Sequence, residues 1–397
     1  MFQEKKVSVQ ISKKNTQSRP QKIILATNRR PRARDIGIEV GIYKPGQWNA
    51  ITDVKGVLVG HETVWKGRKI RSGVTVVIPH EGNLFQNKVE AAVYIYNGFG
   101  KMTGIGQIEE VGNIETPIAL TDTCNVPVVA DSIVEYILKL PGNEAVTSVN
   151  PVVGDTNMSF LNDSRSRPVK RSHLFKAIKN SCSGPVDEGV VGAGTGTSTF
   201  GWKGGIGTSS RILPEKDGFY TVGILVQTNF GGILTINGAP VGRELNCFSF
   251  SQDIPYYTDI DGSCMIIVAT DAPLCTHNLK RLAKRAILGM ARTGAISSHK
   301  SGDFVIAFST TNRKCDIPNC ITQELRLLSN EAMNPLFTAI QEATEEAIYN
   351  AILKAVTVVG LDGRKREAID VEKVKKILEK YNMLDLHSKI LPWKSEK

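Results

Sequence analysis

Short runs that are apolar at almost every position constrain this chain more than any other feature. Six are rich in β-branched residues: Gly56–Val59, Val74–Ile78, Ala91–Tyr96, Tyr220–Gln227, Met265–Thr270 and Phe304–Ser309. Their length suits strands. A strand with one wet face alternates apolar and polar residues, whereas several of these do not, so their sheets are covered on both faces. Helical stretches alternate with them at Asp131–Leu140, Asn278–Arg292, Asn334–Ala355 and Val371–Tyr381. In the second, Leu279, Leu282, Ala283, Ala286, Ile287 and Met290 form an i, i+3, i+4 stripe. Strands buried on both sides plus amphipathic helices predict a layered α/β protein. No repeat, low-complexity block or linker interrupts the pattern from Asp35 to about Met383, which predicts one domain made of two sequence halves.

The net charge of +10 resembles a nucleic-acid signal until it is located. Residues 1–34 hold ten Lys and Arg against one acid, Glu4, so nearly all of the excess belongs to this tail. A polar, basic segment with few large apolar residues does not bury enough surface to order itself, and residues 1–34 are expected to be disordered. A targeting peptide or an anchor for an anionic surface are the other readings. The body is nearly neutral, so no nucleic-acid partner is expected. No apolar run of about 18 residues exists, and no apolar stretch follows the basic start, which predicts neither a membrane span nor a secretory signal. Seven cysteines at irregular spacing, without C-x-x-C, fit reduced thiols and a cytoplasmic protein. Six scattered histidines form no metal motif. The glycine-dense stretch from Gly192 to Gly207 fits no nucleotide-binding fingerprint and reads as tight turns near a pocket. Neither a metal nor a cofactor is expected.

Chemistry concentrates around Asp261-Gly262-Ser263-Cys264, directly before the apolar run Met265–Thr270. A Ser or Cys side chain can attack the carbonyl of the preceding peptide bond, and hydrolysis of the ester or thioester leaves a new chain that begins with the nucleophile. The freed α-amine, with a reference pKa of about 7.7–8.0, can act as a base near neutral pH. Nucleophile and base are then one residue. Ser301-Gly302-Asp303 stands in the same relation to Phe304–Ser309. Two such strands side by side would bring Ser263 and Ser301 together with Asp303 close behind; two ordinary turns are the plainer alternative. Asn229, before Phe230-Gly231-Gly232, can donate to an oxyanion or simply shape a turn. Asp155, in Gly154-Asp155-Thr156-Asn157, can hold a substrate ammonium or cap a turn.

Longer motifs carry a resemblance. Arg32-Ala-Arg-Asp35, Asn49-Ala-Ile-Thr-Asp53 through Gly60-His61-Glu-Thr63, Asn150-Pro-Val-Val-Gly-Asp155 and Gly192-Ala-Gly-Thr-Gly196 come first in order. Phe200-Gly-Trp through Arg211, Val226-Gln-Thr-Asn229-Phe-Gly231, Ile267-Val-Ala-Thr-Asp-Ala-Pro-Leu274 and Ser301-Gly-Asp303 follow. Together they resemble the L-aminopeptidase/D-Ala-esterase-amidase family, which includes the β-aminopeptidases, over residues 32–382. The resemblance implies a four-layer α-β-β-α sandwich made as a precursor and split into two associated chains, residues 1–262 and 263–397. It implies Ser263 as nucleophile, its new amine or the Ser301 hydroxyl as the proton relay with Asp303 orienting Ser301, and Asn229 with a backbone N–H as oxyanion donors. It implies small peptides, amides or esters with a free amine as substrates, and assembly as a homotetramer.

The chain departs from the family at three places. Phe160 stands where some members carry an oxyanion-assisting tyrosine, leaving a hydroxyl-free ring at a substrate-binding position. Asp155 replaces the usual glutamate. Cys264 follows Ser263, so a rival cut at Ser263–Cys264 is open. Two other functions compete: acyl transfer like that of the ornithine acetyltransferases, which share the fold, and a non-enzymatic member that never splits.

Overall fold

The computed structural model describes residue 27 and residues 29–249, 262–315 and 324–389. The apolar runs become strands, longer than their apolar cores: β1 Leu58–Lys66, β2 Ile70–Ile78, β3 Asn87–Gly98, β4 Asn113–Ile114, β5 Ile118–Asp122 and β6 Val152–Thr156. A two-residue pair, β7 Ser198–Thr199 and β8 Trp202–Lys203, precedes β9 Ile206–Ile212, β10 Thr221–Asn229, β11 Ser263–Thr270 and β12 Gly302–Cys315. The longer helices are α1 Val126–Leu138, α2 Arg171–Lys179, α3 Thr276–Arg292, α4 Met333–Lys354 and α5 Val371–Lys380. Pro127 opens α1, where its missing N–H costs nothing. The Asp370 side chain caps α5 by accepting from Lys373 N–H at 3.1 Å.

Two sheets result. One runs β1-β2-β5-β6, and the other β4-β3-β12-β11-β10-β9. In the second, β11 and β12 are parallel, while β10 and β3 flank them antiparallel. Alternation along each strand sends apolar side chains to both faces. Val59, Val77, Ile118 and Leu120 of the first sheet share a core with Val93, Leu225, Met265, Ile267 and Phe304 of the second. The outer side of the second sheet presents Ile224, Val226, Cys264, Ile266 and Val305 to Leu279, Leu282 and Ala286 of α3 and Ile340 and Ala347 of α4. The outer side of the first sheet, with Val74, Val76 and Val153, packs on Val129 and Ile133 of α1 and Leu174 of α2. Each fully buried aliphatic side chain contributes about 1.5–3 kcal/mol. This is the reason the all-apolar runs predicted sheets with two covered faces. Helix α4 is buried around nearly its whole circumference, which is why its apolar stripe understates its burial.

The basic tail ends sooner than residue 34. Ala33 fills a slot in the larger core, Arg30 Nε donates to Leu353 O at 2.6 Å, Arg32 pairs with Glu188 at 2.7 Å, and Arg34 with Glu346 at 3.0 Å. Basic residues at 30–34 are therefore docked on acids and carbonyls; residues 1–26 and 28 lie outside the described residues. No described helix is long and apolar enough to cross a membrane.

The glycine segment is pinned where β1 and β2 meet it. Gly192 N–H donates to Thr63 Oγ1 at 2.9 Å and Ala193 N–H to Thr75 Oγ1 at 3.0 Å. At Gly194, a Cβ would lie 2.5 Å from the Ile206 nitrogen, so only glycine fits there. His61 closes this corner, with Nδ1 2.9 Å from the Thr75 hydroxyl and Nε2 buried without a partner. Burial, opposed by Asp187, pushes its pKa from 6.5 down to about 4. The unfolded chain takes up this proton first as pH falls. The stability His61 contributes is therefore complete above pH 6.5 and is lost as pH falls toward 4. Denaturant titrations should show stability declining over that window, and His61→Gln should flatten the slope. An equally steep slope in the variant would remove His61 as its cause.

Candidate active site

The sheet register brings the separated motifs together. Asn229, the last residue of β10, pairs directly with Ser263, the first of β11. On the other side of β11, Ser263 lies beside Gly302 and Cys264 beside Asp303. Ser263 shares the strand face of Met265 and Ile267, which point between the sheets. Asn229 shares the face of Leu225 and so also looks inward. Cys264 points the other way, into the cluster under α3 and α4.

The carbonyl of Gly262 accepts two hydrogen bonds. Ser263 Oγ donates to it at 2.7 Å, and the Gly302 N–H donates to it at 3.2 Å. Gly302 has to be glycine because a Cβ would stand 2.7 Å from Phe99 O. Ser301 Oγ donates to Asp303 Oδ1 at 2.8 Å, and both residues are fully buried. Asp303 Oδ2 is buried without a hydrogen bond of ordinary geometry, with the Ser297 side chain and the Cys264 N–H close to the carboxylate. Burial pushes the Asp303 carboxyl above the ordinary aspartate range. Asn229 is fixed at both ends of its amide: Oδ1 accepts from Ser198 N–H at 2.9 Å, and Nδ2 donates to Asn157 O at 3.0 Å. Its second amide hydrogen remains for a ligand.

A cavity of about 180 Å³ opens beside Ser263 and Gly262, with Asp155, Asn157, Lys101 and Lys300 on its wall. Asp155 Oδ1 accepts from Lys101 N–H at 2.7 Å, and its other oxygen has no hydrogen-bond partner among the described residues. A larger hollow of about 640 Å³ runs from Tyr43 to Phe219, but no Ser, Thr or Cys lines it. Chemistry, not size, picks out the site.

Ser263, Gly262, Asn229 and Asp155 thus converge. Asp303, on the neighbouring strand β12, and Ser301, just before it, do not line the cavity. Phe160 does not line this cavity. Its ring lies 3.5 Å from the Arg366 guanidinium, whose Nε donates to Ser198 Oγ at 3.1 Å. Sequence reasoning passed over Asn157, Ser198, Lys101 and Lys300. Asn157 sat inside a quoted motif, but backbone donors and isolated lysines leave no pattern in a sequence. No described group of acids, His and Cys forms a metal site.

The cavity thus brings together an inward-facing serine, an amide opposite it and a carboxylate. Residues 49–366 match peptidase family S58. The β-peptidyl aminopeptidase BapA of Sphingosinicella microcystinivorans is 39% identical over 375 residues, 89% of this chain and 93% of its own. A solved β-aminopeptidase from a Burkholderia species is 38% identical with TM-score 0.81, covering 88% of this chain and 99% of the other. The L-aminopeptidase D-Ala-esterase/amidase of Ochrobactrum anthropi, described as a prototype of the serine aminopeptidases and a variant of the Ntn hydrolase fold, is 36% identical with TM-score 0.82. It covers 89% of this chain and 99% of its own. The chain belongs to peptidase family S58 and is an enzyme of the serine aminopeptidase/amidase type. The acetyltransferase alternative is not favoured by these matches.

Burial, with the nearby Asp303 charge, pushes the Cys264 thiol well above its usual pKa, whereas Cys124 is exposed on the cavity wall. Only thiolate alkylates readily. Iodoacetamide at pH 8 should therefore label Cys124 in the folded protein and leave Cys264 unmodified, as read by peptide mass spectrometry. Labelling of both at similar rates would contradict the assigned faces of β11.

Proposed function

We propose that the chain cuts its own Gly262–Ser263 bond and that Ser263 then serves as the nucleophile of an aminopeptidase. Its substrates are small peptides, amides or esters with a free amine. The observation that carries this reading is the Gly262 carbonyl, held by the Gly302 N–H and touched by Ser263 Oγ at the wall of the cavity that contains Asp155. Ser263 Oγ attacks the Gly262 carbonyl carbon while its proton passes to the departing nitrogen. The Gly302 N–H steadies the charge on oxygen, and water hydrolyses the resulting ester. Residues 1–262 then end in a carboxylate, and the second chain begins with the Ser263 amine.

In the substrate reaction that amine takes the proton of Ser263 Oγ as the oxygen attacks the aminoacyl carbonyl. The leaving amine departs with a proton, and water releases the amino acid from the ester. The free Nδ2 hydrogen of Asn229, opposite Ser263, suits the oxyanion. The open oxygen of Asp155 suits the substrate ammonium. Ser301, bonded to Asp303, stands one strand from the new amine and orients it. The outward face of Cys264 supports Ser263 over the rival cut. The three clusters about the two sheets support the layered α-β-β-α arrangement.

A denaturing gel should show two fragments, residues 1–262 and 263–397, with the smaller beginning Ser-Cys-Met on N-terminal sequencing. Ser263→Ala should abolish both splitting and hydrolysis of an aminoacyl-p-nitroanilide. An uncut wild-type polypeptide that still hydrolyses the anilide would sink the proposal.

Asn229→Ala should lower kcat about 100- to 1000-fold, and a loss of less than about tenfold would leave Asn229 without the assigned role. As pH falls, kcat/KM should first drop as the Ser263 amine protonates near about 7.7–8.0, and the raised Asp303 pKa should add a second acid limb at lower pH, above the ordinary aspartate value of about 3.9. Activity should fall as pH drops through that limb, and Asp303→Asn should erase it. Stability runs the opposite way, since a carboxyl with a raised folded pKa contributes fully below about 3.9 and loses that contribution as pH rises through the folded value. A limb that survives in Asp303→Asn belongs to another group.

A further inference from the structure

The cavity beside Ser263 carries opposite charges at different depths. Asp155 is 3% exposed, with one oxygen tied to Lys101 N–H. Lys101 and Lys300 are exposed residues that line the same cavity. Lys139, Lys280, Lys365 and Lys380 each sit within 2.9 Å of a glutamate, but neither cavity lysine has an ion-pair partner among the described residues. Their separation is not left to long side chains alone. Phe99 N–H donates to Ser301 O at 3.2 Å, and Gly302 lets the two segments close to backbone contact, so both lysine Cα positions are set by one stitched pair of strand ends. Two cations held at one mouth repel each other and attract an anion entering between them.

Resting on the function proposed above, we propose that Lys101 and Lys300 form a carboxylate subsite for the leaving half of the substrate. The preferred substrates are then short peptides with a free C-terminal carboxylate, dipeptides first, over amides, esters and anilides of the same amino-terminal residue. Asp155 takes the ammonium, Ser263 meets the carbonyl between, and the lysines take the far carboxylate. The cavity, about 180 Å³, is below the roughly 300–1,000 Å³ of sites for larger ligands, which suits a substrate read at both ends.

The test uses the processed enzyme and the amino-terminal residue it turns over fastest as a p-nitroanilide. kcat/KM is measured for that anilide, for a dipeptide with the same first residue, and for the dipeptide's C-terminal amide. The free acid should be preferred to its amide about fivefold, the scale of exposed ion pairs. Added salt should reduce the preference. The double variant Lys101→Gln/Lys300→Gln should bring the ratio to about one, and Lys300→Glu should turn it in favour of the amide. A wild-type ratio of one overturns the subsite without any variant, and so does a ratio that survives in the double variant. Wild-type enzyme that hydrolyses none of the three compounds overturns the aminopeptidase reading instead.

Discussion

The parallel pairing of β11 with β12, locked between antiparallel β10 and β3, is the constraint on which the rest of the site depends. It places the C-terminal end of β10 and the N-terminal ends of β11 and β12 on one line across the sheet. Asn229, Ser263 and Gly302 are neighbours for that reason alone, though 34 to 73 positions separate them in the chain. A slip of one residue along β11 would turn Ser263 toward the helices and Cys264 toward the cavity. The apolar alternation prevents it. Met265, Ile267 and Ala269 fill the core between the sheets while Cys264, Ile266 and Val268 fill the core under α3 and α4, and both cores are closed. Register is fixed by burial on two faces at once, and the proposed nucleophile inherits its direction from it.

Function draws on the same backbone rather than on side chains alone. The Gly262 carbonyl is met by a main-chain donor whose residue admits no side chain, because Phe99 O crosses so near. Asn229 is held by the Ser198 N–H, and Ser198 Oγ in turn accepts from Arg366 Nε at 3.1 Å. The buried ammonium of Lys203 donates to Gly194 O and Gly204 O at 2.8 and 2.7 Å, bracing the glycine segment from which β7 emerges. Burial holds its pKa well below the usual lysine value.

The sequence revealed most where burial is two-sided. Five of the six apolar runs lie in strands, the sixth, Gly56–Val59, only reaches the start of β1, and all four amphipathic stretches are helices, shifted by a few residues at their ends. The strands β5, β6 and β9 were missed because polar residues within them, such as Thr121, Asp155 and Ser209, are satisfied by tertiary hydrogen bonds that no local pattern encodes. Arg171–Lys179 was missed as a helix because only Leu174 and Ala177 are buried, too few for a clear stripe. Ser263 and Ser301 were legible as hydroxyls at strand starts. Their adjacency stood only as one of two readings, beside a pair of ordinary turns, since strand order is a long-range property. The basic segment misled at its end: charge composition says nothing of whether Glu188 and Glu346 wait in the fold to receive Arg32 and Arg34.

The strand order also bears on what a cut at Gly262–Ser263 can do. β11 and β12 lie in the middle of their sheet, with β4 and β3 on one side and β10 and β9 on the other, and all four flanking strands precede the cut. Helix α4, from beyond the cut, is tied to β9 through buried Arg211, whose Nε is 3.1 Å from Glu342 and whose Nη2 is 2.8 Å from Glu346. Glu346 also receives Arg34. Breaking such a buried pair leaves a charge stranded in the core, at a cost of about 3–5 kcal/mol. Separating the two pieces would open ladders on both sides of the central strands and strand these charges together. Hydrolysing one peptide bond frees an amine locally and changes none of those contacts. A chain can therefore be divided at this point without dividing its core, which is what a nucleophile placed at a new N-terminus requires.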